Sequence, residues 1–220
     1  NLMTVRLAQE IGVNRQKAFL KELGMLEPTG FELVEAATGR PLLPPNWSEL
    51  STMTISYGHG LSTSPMHLAA GYAAIANGGK RVIPTLLKRD TPQDGPRVIS
   101  QENAEAARRM LRMVVTDGTA SFGDVPGYAV GGKTGTADKP KENGGGYYDD
   151  KVIATFASIF PAYDPKYVLI VSLDEPVETS GPEPRRTAGW TAVPVAAEMI
   201  TRIAPLLGLR PDVEPGRLTD

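Results

Sequence analysis

The sequence predicts an α+β fold, on three observations. Its first half carries apolar residues at helical spacing, punctuated by glycine and proline. Residues 128–138, 151–161 and 166–174 are rich in Val, Ile, Tyr, Phe and Thr, as strands are. The links between these runs are a glycine-rich loop, Asn143 to Tyr148, and the turn Pro161-Ala162-Tyr163-Asp164-Pro165. Links this short join antiparallel neighbours, because a parallel crossover needs a dozen or more residues. Helices, an antiparallel meander and a closing helix make an α+β chain.

Leu2, Val5, Ala8 and Ile11 stand at helical spacing, and Gly12 ends that helix. Asn14 is placed to cap a second helix through Leu23, closed by Gly24. Residues 25–47 hold four prolines and read as loop with a short strand. Residues 48–55 predict a short helix leading into the turn Tyr57-Gly58-His59-Gly60. Thr63 or Ser64 before Pro65 starts the next helix, because proline at its first position gives up only a donor that had no partner. That helix runs to Ala76 and stops at Asn77-Gly78-Gly79, and His67 near its start is expected to pack or to cap. Ser100 caps a helix over 101–116, with Ala106, Met110, Met113 and Val114 expected on its core side and Glu102, Arg108 and Arg109 on the other. The last helix spans about 190–204. There is no internal repeat and no clear interdomain linker.

With 220 residues, 41% hydrophobic and 22% charged, the chain has the composition of an ordinary globular protein. A formal charge of -2 gives no electrostatic reason to expect nucleic acid or an anionic membrane. Zero cysteines exclude disulfides, thiolate metal sites and a cysteine nucleophile, and two histidines discount a metal site. No run approaches the roughly 20 apolar residues of a spanning helix. The chain opens on Asn1 with a helical pattern beginning at once, as a piece of a longer protein would.

The stretch that carries chemistry is Val130-Gly131-Gly132-Lys133-Thr134-Gly135-Thr136-Ala137. Lys133 supplies fixed positive charge, Thr134 and Thr136 supply hydroxyl donors, and Gly135 has no side chain to block a ligand lying against the backbone. Gly127-x-x-x-x-Gly132-Lys133-Thr134 matches the P-loop pattern, and the apolar run 168–173 before Asp174-Glu175 resembles a magnesium-holding strand. A P-loop lysine must open a helix whose amides face the phosphates. Gly135, Pro140 and the glycines 144–146 forbid a helix there, and no strand precedes the motif. The other device is an edge strand that pairs with an extended peptide, main chain to main chain. Alternation then puts Lys133 and Gly135 on one face, Thr134 and Thr136 on the other.

K-T-G in such a strand belongs to the signature of penicillin-binding proteins and class A β-lactamases, beside S-x-x-K and S-D-N. Ser56-Tyr57-Gly58-His59-Gly60, Pro65 through Gly79, Gly131 to Pro140, Gly144-Gly145-Gly146-Tyr147-Tyr148 and the strand through Asp174 extend the likeness. Over nearly its whole length, to about residue 206, the chain resembles the transpeptidase domain of class B penicillin-binding proteins, in particular the septal cell-division transpeptidase in its alphaproteobacterial form. The resemblance implies a division into 1–206, the C-terminal portion of that domain, and a tail, 207–220. It implies peptidoglycan stem peptides ending in D-Ala-D-Ala and β-lactams as ligands, division-machinery membrane proteins as partners, a periplasmic location and no cofactor. It also implies that Lys133 adds positive potential beside a nucleophile, that Thr134 and Thr136 hold the ligand carboxylate, and that the Thr136 amide is an oxyanion donor. Asn1 falls where the asparagine of S-x-N would be.

The departure is the nucleophile. None of the ten serines, Ser48, Ser51, Ser56, Ser62, Ser64, Ser100, Ser121, Ser158, Ser172 and Ser180, has a lysine three residues on. In the family that motif precedes S-x-N, so it is expected upstream of Asn1 together with the first strands of the sheet, and this chain alone is expected not to be acylated. The other functions weighed for such a chain are a D,D-carboxypeptidase or β-lactamase, in which water resolves the acyl-enzyme, and a binding or sensor module without turnover. His59 is read as a turn or cleft-rim residue. Asp149-Asp150, Asp174-Glu175 and Arg185-Arg186 are read as solvated or strand-end charges, and the Gly144–Gly146 loop as a hairpin tip or mobile cleft rim.

Overall fold

The computed structural model describes residues 2–91 and 94–212. The chain divides into two compact units, Asn1–Glu105 and Ala106–Asp220.

The first unit opens with α1 (Leu2–Ile11) and α2 (Val13–Glu22), which meet at a single residue, Gly12. Gly12 sits at φ 77° as the N-cap of α2, a backbone turn that favours glycine, and Asn14 is inside the helix rather than capping it. The end of α2 follows expectation. Gly24 takes φ 79°, donating to the Lys21 carbonyl while Met25 N–H reaches the Leu20 carbonyl, which satisfies two end-of-helix acceptors. The spacing of Leu2, Val5, Ala8 and Ile11 predicts the helix correctly but not its burial, since only Ala8 is buried.

The short strand expected in 25–47 is absent among the described residues. That stretch holds a one-turn helix, α3 (Val34–Thr38), and a lone bridge between Leu42 and Ser62. Helix α4 (Glu49–Ser56) starts at a capping box of Ser48 and Ser51, and α5 (Pro65–Ala76) at one of Ser64 and His67. His67 is buried. Its Nε2 lies 2.8 Å from the Glu27 carbonyl and must donate there, which leaves Nδ1 to accept from the Ser64 hydroxyl at 2.7 Å. An antiparallel hairpin of β1 (Lys80–Val82) and β2 (Asp94–Arg97) completes the unit.

Helix α6 (Gln101–Thr116) shows the largest departure from its sequence reading. Met110 and Met113 are exposed, and Ala104, Arg112 and Val115 are the buried positions. The helix turns Arg112 inward, where one guanidinium nitrogen finds two acceptors while Nε has no hydrogen-bond partner among the described residues. Nη1 bonds Asp124 Oδ1 at 2.7 Å and the Val130 carbonyl at 2.9 Å. A buried cation needs such partners.

The second unit is built on an antiparallel sheet in the order β3 (Gly131–Pro140), β4 (Tyr147–Phe160), β5 (Tyr167–Asp174). Helix α7 (Ala192–Leu206) lies against it. Its stripe Ala192, Ala196, Ile200, Ala204 repeats every fourth residue and is fully buried, so mostly small side chains let the helix sit close to Ala154, Phe156, Phe160 and Val171. Beyond α7 the chain stays attached, with Leu209 packed on this core and Asp212 N–H bonded to the Gly127 carbonyl at 2.8 Å.

Candidate functional site

Gly131 to Ala137 of the motif lie within β3, which among the described residues pairs with β4 along one edge only. Lys133 faces Ala157, Thr134 faces Phe156 and Thr136 faces Ala154 in the register. Lys133 is therefore a strand residue, and the helix start that a phosphate-binding loop requires is not there.

The glycines of the motif have different reasons. A side chain at Gly132 would come within 2.6 Å of the Phe156 ring and of the Ala157 carbonyl, so glycine lets β3 close over Phe156. Gly131 is nearly as tight, with Ala162 and the α6 backbone about 3.2 Å from a Cβ there. At Gly135 the nearest atom would be 3.9 Å away, and the residue is exposed with no left-handed backbone. Neither packing nor conformation calls for glycine at that position. What its absent side chain leaves open is the strand's outer surface.

Thr134 and Thr136 line a groove of about 420 Å³ together with Thr119, Phe122, Thr187 and Trp190. Thr119, just past α6, lies with its hydroxyl 2.8 Å from that of Thr134. One hydrogen is spent between them, and the second remains for a ligand. Thr136 Oγ1 accepts from the Ala188 N–H at 3.0 Å, which orients the oxygen and leaves its own hydrogen to donate. The groove thus offers two hydroxyl donors, an arrangement suited to a carboxylate, whose oxygens only accept.

Lys133 and Gly135 are not among the groove's lining residues. Alternation puts them on the other face of β3, and a ligand along the free edge has access to both faces. The Lys133 ammonium is exposed and bonds only the Thr134 carbonyl, at 2.9 Å, with no ion pair to any described residue. Lys139, six residues on, is the opposite case. Hydrogen bonds to Asp174 at 2.8 Å and Glu175 at 2.9 Å hold its ammonium well above the usual lysine range. Glu175 also takes Lys151, and hydrogen bonds from Lys139 and then Lys151 lower its carboxyl. Asp174 and Glu175 are thus strand-end charges, as expected, and although exposed they fasten the end of β3 to the end of β5.

Arg185 is not a solvated charge. Its guanidinium lies 3.7 Å from the centre of the Trp190 ring and pairs with Glu178. Asn1, expected as the asparagine of S-x-N, lies outside the described residues. Thr119 and Trp190 were not anticipated from the sequence. Thr119 carries no local signal, because its role comes from a partner fifteen residues away. Trp190 carried one, a large aromatic directly after Gly189, but the sequence reading made it the first residue of the last helix, which begins at Ala192.

The chain matches the family described as penicillin binding protein transpeptidase domain over residues 1–200. It is 34% identical to the probable peptidoglycan D,D-transpeptidase FtsI of Caulobacter vibrioides over 97% of this chain and 38% of that protein. It is 35% identical to penicillin-binding protein PbpB of Mycobacterium tuberculosis over 86% of this chain and 30% of that protein. Among solved structures it is similar to penicillin-binding protein 3 of M. tuberculosis complexed with ampicillin, at TM-score 0.82 and 31% identity, covering 96% of this chain and 50% of that one. The transpeptidase domain of Burkholderia pseudomallei penicillin-binding protein 3 gives TM-score 0.84 and 34% identity, covering 96% and 62%. The chain spans less than two fifths of these curated relatives. An α+β fold with the K-T-G strand at its sheet edge and a match over 1–200 lead to one conclusion: the chain belongs to the penicillin-binding protein transpeptidase domain family.

Proposed function

We propose that this chain forms the C-terminal, carboxylate-holding part of a peptidoglycan D,D-transpeptidase domain of the septal class B type. Its natural ligands are stem peptides ending in D-Ala-D-Ala, and β-lactams take the same place. The reaction is acyl transfer. A serine attacks the carbonyl between the two D-alanines, the terminal D-Ala leaves with a proton, and an amine of a neighbouring peptide resolves the ester. That serine belongs to an S-x-x-K segment, which none of the serines here supplies. Because cross-links are made outside the inner membrane, the domain works on the periplasmic side, within a larger protein that meets the division machinery.

In this reading the free edge of β3 pairs with the extended peptide, and the hydroxyls of Thr136 and of the Thr119–Thr134 pair donate to its terminal carboxylate. Lys133 adds positive potential, and the Thr136 amide is the second oxyanion donor. In this reading Asn1 is the asparagine of S-x-N. The observation that carries the reading is the pairing of two free hydroxyl donors with a glycine, Gly135, that the fold itself does not require.

The test is titration of an acetylated tripeptide ending in D-Ala-D-Ala. A hydrogen bond to a charged group is worth about 1.5–3 kcal/mol, so Thr136→Val weakens binding by about tenfold or more and Thr136→Ser restores it. The methyl ester of the peptide binds no better to wild type than to T136V. Equal binding of acid and ester would refute carboxylate recognition.

A further inference from the structure

The groove has a second half that carboxylate recognition does not use. Trp190 is fixed just ahead of α7, its backbone N–H bonded to the Thr187 carbonyl at 3.0 Å. Its indole is 5.0 Å from the Phe122 ring, tilted by 50°, and both side chains remain substantially exposed, at 38% and 53%. The Arg185 guanidinium covers the indole at 3.7 Å, and Glu178 holds that guanidinium in turn. An exposed aromatic pair braced in this way costs the fold hydration and ordering without serving the core, because neither ring belongs to the buried cluster. Both rings line the same groove as Thr134 and Thr136.

We propose that Trp190, with Phe122 beside it, determines specificity for the substituent next to the ligand's carboxylate, favouring an alkyl group over hydrogen at the terminal residue. This rests on the carboxylate reading above and goes one step further. Two hydroxyls fix the carboxylate at one end of the groove, so the carbon bearing it has its side group facing the aromatic end. One methyl group in an apolar pocket discriminates by about tenfold at the low end. The indole supplies that pocket wall, and the stacked guanidinium fixes its rotamer.

Trp47 and Trp190 are the only tryptophans, so Trp47→Phe makes the fluorescence report on Trp190 alone. Acetylated tripeptides ending in D-Ala-D-Ala and in D-Ala-Gly are titrated against this background. The expected result is a change in Trp190 emission on binding and a preference of about tenfold for the terminal alanine, in line with one methyl contact. Trp190→Ala, followed by calorimetry, binds both peptides with equal affinity, and Phe122→Leu narrows the ratio without unfolding the groove. An unchanged alanine-to-glycine ratio in W190A, with T136V still weakening both peptides, overturns this proposal and leaves the carboxylate reading standing. Failure of T136V to weaken either peptide overturns both. If W190A does not fold, the F122L ratio decides, and an unchanged ratio there counts against the proposal.

Discussion

Gly132 and Gly135 stand three residues apart on one strand and are glycine for opposite reasons. A methyl group at 132 would be driven into Phe156 and a carbonyl, whereas at 135 it would make only an ordinary contact, 3.9 Å from the Thr155 carbonyl. Gly132→Ala should therefore lower stability by about 1–3 kcal/mol, as overpacking does. Gly135→Ala should leave the melting temperature unchanged or raise it slightly, since it narrows the unfolded ensemble by about 0.4–1 kcal/mol, while abolishing peptide and penicillin binding. Thermal melts and titrations of the two variants separate these effects, and a destabilised G135A that still binds would reverse the assignment. At this scale the sequence was readable wherever a residue's chemistry is local. Lys133, Thr134 and Thr136 could be named from K-T-G-T, and Gly24 from its place after a helix. Thr119 could not, because its meaning lies in the Thr134 hydroxyl it meets. Arg112 could not either, because a charged side chain reads as surface until Asp124 and Val130 are found around it.

The three strands and the closing helix were legible as elements, because β-rich composition, short links and a repeat of apolar residues are local patterns. Rotation and termini were not. The Met110–Met113 side of α6 is exposed since Arg112 takes the inward position, and Asn14 lost the cap of α2 to a glycine whose backbone turns the chain in one residue. Strand β3 also has an anchor that alternation does not reveal, the cluster of Lys139, Lys151, Asp174 and Glu175. Glu175 has its folded carboxyl held below the ordinary range by Lys139 and Lys151, so its contribution is present above the unfolded value and is lost as pH falls through the folded one. The two lysines are held above their ordinary range, so their share is present at neutral pH and is lost only as pH rises through their raised values. Glu175→Gln should lower the melting temperature at neutral pH, and the gap to wild type should close in acid below the carboxylate range. Because these groups are exposed, salt should shrink the gap as well. A gap independent of both pH and salt would mean the cluster is not electrostatic.

For the molecule as a whole, the family was legible because its motifs and their order survive in one dimension. The α+β class followed from the order of elements, and the match over residues 1–200 bears both out. What no local pattern could supply is the apolar and hydroxyl lining of the groove, which draws on the segment after α6, strand β3 and the loop before α7. The same scale holds the central claim, that this chain carries the carboxylate-holding half of an acyl-transfer site and not its nucleophile. The most direct test is intact mass after incubation with a penicillin, on this chain and on a version extended upstream to include an S-x-x-K segment. The account predicts a stoichiometric adduct of the penicillin's mass on the extended chain, blocked by changing that serine to alanine, and none on this chain. A specific adduct on this chain alone, or none on either, would contradict it.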